Sequence, residues 1–169
     1  MRSRNFVWPA RDVRVIAHNI RSLYNLGAIF RTAEGFGISK IYLSGYTPAP
    51  DKGLAHIRAK NLARLHKTAL GAEQIVPFQS VSDVLDLIKN LKKAGWRIAA
   101  LEQSPRAVNL NDYAPPNKIA LLLGEEVHGV APEILAKCDD VLEIPMRGQK
   151  ESFNVAVAAG IALHRLTTW

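Results

Sequence analysis

Three short stretches of the 169-residue chain combine side chains and spacing that can do chemistry. Asn25 and Arg31 stand at the start of a helical pattern. One is an amide that can orient a neighbour, the other a guanidinium that can hold an anion. Their separation is about 1.7 helical turns, so they reach a common point only if Asn25 lies at or before the helix cap. Gly124-Glu125-Glu126 ends an apolar run. Glycine there permits close approach of backbone, and a carboxylate there can orient an arginine. Ser152-Phe153-Asn154 opens the last helical pattern, with Ser152 placed to cap it. Each stretch also has a plain structural reading: a cap beside a solvated arginine, a turn with surface acids, a helix start.

Other chemistries find no support. Gly35-Phe36-Gly37 closes a helix, whereas a dinucleotide fingerprint opens one after a strand. No phosphate-binding P-loop occurs, and no serine sits in a Gly-x-Ser-x-Gly elbow. His18, His56, His66, His128 and His164 show no metal-ligand spacing and read as surface or packing residues, so no metal site is expected. Cys138 is the sole cysteine, which precludes an internal disulfide and suits a reducing cytosol. Its neighbours Asp139 and Asp140 disfavour a thiolate, so it reads as structural. No apolar stretch has the length of a membrane span. Met1-Arg2-Ser3-Arg4-Asn5 has no apolar signal region behind it, so nothing suggests export.

The elements that must position these residues alternate. Short β-branched or apolar runs predict strands over 13–17, 40–43, 75–78, 97–101, 119–123 and 141–144. Helical spacing predicts helices over 26–36, 56–66, 81–93, 132–137 and 155–166, the last apolar almost all round. Residues 102–117 read as a long loop with one helical turn near Leu110. The alternation implies an α/β three-layer fold around a parallel sheet, and the length suits one domain spanning 1–169. Charge is one-sided. Residues 1–67 carry 12 Lys/Arg against 3 Asp/Glu, and residues 68–169 carry 10 against 12. The net of +7 therefore arises entirely in the first part, the electrostatic footprint expected for phosphate backbones.

In order and wording, these stretches resemble the SpoU/TrmH family of RNA ribose 2′-O-methyltransferases. Asn25-Leu26-Gly27-Ala28-Ile29-Phe30-Arg31-Thr32-Ala33-Glu34-Gly35-Phe36-Gly37 is similar to its first motif. Leu121-Leu122-Leu123-Gly124-Glu125-Glu126-Val127-His128-Gly129-Val130 is similar to its second. Ile144-Pro145-Met146 through Glu151-Ser152-Phe153-Asn154-Val155-Ala156-Val157-Ala158-Ala159 is similar to its third. Lys67-Thr68-Ala69-Leu70-Gly71-Ala72-Glu73 also has the family's look. Phe153 departs from the leucine of many relatives but stays apolar.

The resemblance implies a parallel α/β sheet whose C-terminal segment forms a deep trefoil knot. It also implies S-adenosylmethionine as cofactor and a cytoplasmic homodimer with the site at the interface. By position it implies a catalytic set of Arg31, Asn25, Glu126, Ser152 and Asn154. The cofactor would be held at Leu101, Glu102, Gly124, Ile144, Met146, Ser152, Phe153 and Asn154, largely by backbone groups. A guanidinium stays protonated in proteins. Arg31 is therefore read as holding the RNA phosphate and stabilising the developing alkoxide, not as the base. Arg11, Arg14, Arg21, Arg58, Lys60 and Arg64 are read as lining the RNA approach. The chain reads as close to the bare catalytic domain, with tRNA favoured slightly over rRNA as substrate. Two alternatives stay open: an inactive RNA-binding dimer of the same fold, and a base methyltransferase of the wider knotted superfamily.

Overall fold

The computed structural model describes residues 11–50 and 53–168. The stretch Met1-Arg2-Ser3-Arg4-Asn5, and Asp51 in the loop after the second strand, lie outside the described residues. Among the described residues, seven strands form one sheet: β1 (Asp12–His18), β2 (Lys40–Ser44), β3 (Phe78–Val81), β4 (Arg97–Leu101), β5 (Val108–Asn109), β6 (Lys118–Leu123) and β7 (Asp140–Glu143). Their order is β3-β2-β1-β6-β4-β7-β5, and every pairing is parallel. The alternating strand–helix reading is therefore the fold.

Period-two alternation divides the central strands between two cores. Val13, Val15 and Ala17 of β1 join Ile119, Leu121 and Leu123 of β6 on one face. That face is covered by α1 (Leu23–Gly35), α2 (Ala55–Ala69), α3 (Ala72–Ile75) and α6 (Val155–Thr168). Ile16, Ala120 and Leu122 point the other way, under α4 (Val84–Lys93) and α5 (Pro132–Leu135). Both faces of the sheet are dry, which gives the three expected layers. In α1, Leu26, Ile29, Phe30 and Ala33 are fully buried at helical spacing. Gly27 lets α2 touch the α1 backbone: a Cβ there would lie 2.4 Å from the Leu65 carbonyl oxygen. Thr68 Oγ1 donates to the Tyr24 carbonyl at 2.8 Å across the same contact.

Several boundaries differ from the sequence reading, each for a local reason. α1 starts at Leu23 because the Ser22 hydroxyl accepts from the Asn25 N–H at 3.3 Å. The expected strand over 75–78 begins only at Phe78, and Ala72–Ile75 is helical. Glu73 is buried there, accepting from the Gly71 N–H at 3.0 Å and meeting His66 Nδ1 at 2.7 Å. Pro77, with no N–H, supplies only its carbonyl to Ile41. α4 starts at Val84, not 81, because Asp83 Oδ1 accepts from Leu85 N and Asp86 N. The loop expected over 102–117 contains β5, paired to β7, and a 3₁₀ turn at Leu110–Asp112 near the expected position.

Candidate functional site at the carboxyl edge of the sheet

β4, β6 and β7 end in register, with Leu101 paired to Leu123 and to Leu142. Just beyond those ends lies a cavity of about 280 Å³. In an open parallel sheet this edge is where ligands bind, because chain connections leave crevices there. Four segments form the wall: Glu102 and Gln103 after β4, the turn 124–129 after β6, Ile144 and Met146 after β7, and Ser152 and Phe153 before α6. Five carboxylates line it, Glu102, Glu125, Glu126, Glu143 and Glu151, and none of its lining residues is Lys or Arg. The chemistry of that lining suits a cationic ligand.

The turn after β6 is held tightly. Glu125 and Gly129 exchange two backbone hydrogen bonds, at 3.0 and 2.9 Å. A Cβ on Gly124 would lie 2.6 Å from both the Gly129 carbonyl carbon and Val130 Cγ2. Gly129 has φ +67°, and a Cβ there would fall 2.0 Å from Glu102 Oε2. Glu102 clasps the turn, accepting from the Val130 N–H at 3.0 Å and from the Gln103 N–H at 2.9 Å. Its carboxylate is thus engaged with backbone of the cavity wall.

Three of the expected site residues meet in one directed chain. Asn154 Oδ1 accepts from Ala156 N at 2.9 Å and Val157 N at 3.4 Å. Asn154 Nδ2 donates to Asn25 Oδ1 at 3.1 Å, and Asn25 Nδ2 donates to Glu126 Oε1 at 3.0 Å. The Arg21 N–H reaches Glu126 Oε2 at 3.5 Å. Helix N–H groups at one end and a carboxylate at the other fix the orientation of both amides. The cap of α6 is therefore Asn154 rather than Ser152, because Asn154 has helix donors on one side and Asn25 on the other. Ser152 lies exposed on the cavity wall. Arg31 is exposed on α1, outside the residues that line the cavity, so one chain alone does not bring it into the set.

The turn's other acid anchors a cluster with no motif behind it. The Arg21 guanidinium lies 2.8 Å from Glu125 Oε1, and His128 Nδ1 is 3.3 Å from Glu125 Oε2. The Tyr46 ring lies beside the same cluster, its centre 5.1 Å from the Arg21 guanidinium carbon. The proximity of Tyr46, with His128 and the charge of Arg21, holds the Glu125 carboxyl below the usual carboxylate range. That a carboxylate here orients an arginine was readable from Gly124-Glu125-Glu126; that Tyr46 joins it was not, since nothing in its spacing marks it.

The basic residues divide. Arg58, Lys60 and Arg64 are exposed along α2, and Arg11 is partly exposed. Arg14 is engaged, donating to the Tyr42 hydroxyl at 2.8 Å and lying 3.9 Å over the Trp96 ring. His18 is buried against Ser44 Oγ at 2.9 Å, and burial lowers its pKa. Burial first, then Asp139 and Asp140, push the Cys138 thiol up to about 11, in keeping with a structural role. Among the described residues, no helix is long and apolar enough to cross a membrane, and no group of His, Cys, Asp and Glu is arranged to hold a metal ion.

Known proteins match this arrangement over most of the chain. A tRNA (guanosine(18)-2′-O)-methyltransferase of Aquifex aeolicus is 31% identical over 156 residues, 91% of this chain and 68% of that protein. A 23S rRNA (guanosine-2′-O-)-methyltransferase of Nitrosomonas europaea is 31% identical, over 88% of this chain and 53% of its own length. The crystal structure of an AdoMet-bound rRNA methyltransferase from Sinorhizobium meliloti superposes with a TM-score of 0.81 at 25% identity, over 96% of this chain and 58% of that one. The chain thus spans little more than half the length of two of these three relatives. With the family model matching residues 12–164, the whole described sheet and both halves of the Asn25–Asn154 contact, the chain belongs to the SpoU rRNA methylase family.

Proposed function

We propose that the protein is an S-adenosylmethionine-dependent RNA 2′-O-ribose methyltransferase, acting on tRNA in preference to rRNA as a cytoplasmic homodimer with each site at the subunit interface. The observation that carries this reading is the Asn154–Asn25–Glu126 chain lying against an acid-lined cavity. When bound, the cofactor supplies an electrophilic methyl on a sulfonium, and a lining of carboxylates without Lys or Arg fits that cation. Backbone at Leu101, Gly124, Ile144 and Met146 would hold it, and Phe153 would wall it.

Asn25, Glu126, Ser152 and Asn154 would orient the ribose hydroxyl beside that methyl, where alignment supplies much of the rate. Arg31 would hold the adjoining phosphate and stabilise the developing alkoxide, the hydroxyl proton passing to that phosphate or to water as the demethylated thioether leaves. Its exposure on α1 supports completion of the site by a second copy of the chain. Phe153, Val157 and Ile161 are exposed apolar residues at the start and along one side of α6, and they support a face that such a copy covers. The chain would act as one methyltransferase domain. Its C-terminal segment would be threaded as a knot, a reading that the place of β7 between β4 and β5 in the sheet supports.

Incubation with radiolabelled cofactor and unmodified tRNA or rRNA, followed by nucleoside analysis, tests the reading. A 2′-O-methylated nucleoside is expected, lost in Arg31→Ala. A methylated base, or no transfer together with no cofactor binding by calorimetry, would overturn it. For Arg31→Lys a large rate loss with an unmoved pH–rate limb is expected; a limb that moves with the side chain would show Arg31 to be the base.

A further inference from the structure

The loop after β2 presents Tyr46 with 46% of its surface exposed. Gly45 before it has φ +63°, and the Tyr46 N–H donates to Asn19 Oδ1 at 3.1 Å, so the loop is pinned where it leaves the sheet. The Arg21 guanidinium carbon lies 5.1 Å from the centre of the Tyr46 ring. The same guanidinium is ion-paired to Glu125. Glu125 lines the cavity, and the Arg21 backbone contacts Glu126, the end of the amide chain. Ring and guanidinium are thus tied to the cavity wall on one side and face solvent on the other.

The Arg21 side chain is 66% exposed, yet its charge is matched by Glu125. A cation already paired offers a phosphate little. What it still offers is a flat surface, set against an aromatic one. Proteins hold unstacked RNA bases on aromatic rings and arginine planes. We infer that Tyr46 and Arg21 form a stacking platform for a base of the RNA strand beside the methylated ribose. The inference rests on the proposed function and changes the expected part of Arg21 from phosphate contact to base support.

The test measures methyl transfer to a pool of unmodified tRNA transcripts, with cofactor affinity by calorimetry on the same preparations. Tyr46→Leu is expected to raise the KM for RNA about tenfold, within the range of one lost base–aromatic stack, with kcat and cofactor affinity within about twofold. Tyr46→Phe, which keeps the ring and loses only the hydroxyl, should retain the KM of the unsubstituted protein. Arg21→Lys, which keeps the charge for Glu125 and loses the plane, should raise KM by a smaller factor. An unchanged KM in Tyr46→Leu would overturn the platform while leaving the methyltransferase reading intact. So would an equal rise in Tyr46→Phe, since the loss would then belong to the hydroxyl. Cofactor binding without transfer by the unsubstituted protein to tRNA or rRNA would overturn the proposed function and the platform with it.

Discussion

The amide chain makes a claim about charge that an isosteric exchange can test. Asn25→Asp keeps shape but replaces a donor with an acceptor. Asn154 Nδ2 can still donate to position 25, but Glu126 then loses its donor and faces a second carboxylate. At the 3.0 Å separation of Asn25 and Glu126, two like charges in a half-exposed setting, with an effective dielectric of about 40, repel by about 3 kcal/mol. The lost charge-assisted hydrogen bond adds about 1 kcal/mol at such a site. Side-chain relaxation removes part of the sum, leaving a destabilisation of about 2–4 kcal/mol. For a chain of this size that lowers Tm by about 5–15 °C. Adding Glu126→Gln in the same chain restores a donor on the other side and removes the repulsion. The double variant should recover all but about 1 kcal/mol while staying inactive, since the carboxylate is gone. Urea and thermal unfolding at pH 7 measure both effects. Protein concentration must be fixed, because assembly shifts apparent stability. An Asn25→Asp variant within about 0.5 kcal/mol of the parent, a marginal difference for any double-mutant cycle, would refute the directed chain. A double variant no more stable than Asn25→Asp alone would refute it too.

Four further outcomes follow from other parts of the structure. Gly124→Ala places a methyl 2.6 Å from the Gly129 carbonyl carbon, so it should cost about 1–3 kcal/mol by urea unfolding and weaken cofactor binding by calorimetry. Removing Arg58, Lys60 and Arg64 together should flatten the salt dependence of RNA affinity by about 0.7 log units per log unit of salt for each cation. Arg14→Ala should leave that slope unchanged and instead lower stability by about 1–2 kcal/mol, because its guanidinium is spent on Trp96 and Tyr42. Two hydrogen bonds from Arg97, at 2.6 and 2.8 Å, and one from Tyr113 hold the Asp140 carboxyl below its usual range. That stabilisation is fully present above the unfolded value near 4 and is lost as pH falls through the lower folded value. Asp140→Asn should therefore be less stable than the parent at pH 7, with the gap narrowing below about pH 4 in pH-dependent unfolding.

The parts of the fold legible in the sequence are those whose signal is local and repeated. β6 is an unbroken apolar run because both its faces are buried, and α4 has a polar side because only one of its faces is. What failed to show is what distant partners decide. β5 is two residues long and exists by pairing with β7, so it has no period to detect. The run Ile75-Val76-Pro77-Phe78 has the composition of a strand. Its first residue is nevertheless helical and 67% exposed, beside a Glu73 held by His66 and Gly71. Tyr46 carries no motif; it meets Arg21, itself paired to Glu125, only because the sheet brings their loops to one edge.

The start of α6 shows why motif order could group Asn25, Glu126 and Asn154 while local rules did not convey how they meet. Ser152 and Asn154 are both good capping residues, and capping preference alone cannot rank them. The choice is made by Asn25, 129 positions away, which accepts from Asn154 Nδ2. With Nδ2 committed there, Asn154 Oδ1 is left facing the helix N–H groups. Asn25, having used its oxygen, must present its nitrogen to Glu126, a further 101 positions along the chain. One helix cap thus sets donor and acceptor at three places that share no sequence window, and it leaves Ser152 uncommitted on the cavity wall. Asn154→Ser, a substitution that still caps a helix, should therefore retain most of α6's stability by unfolding. It would remove the donor to Asn25 and, if the chain orients the reacting hydroxyl, lower kcat by about tenfold or more while leaving cofactor affinity near that of the parent.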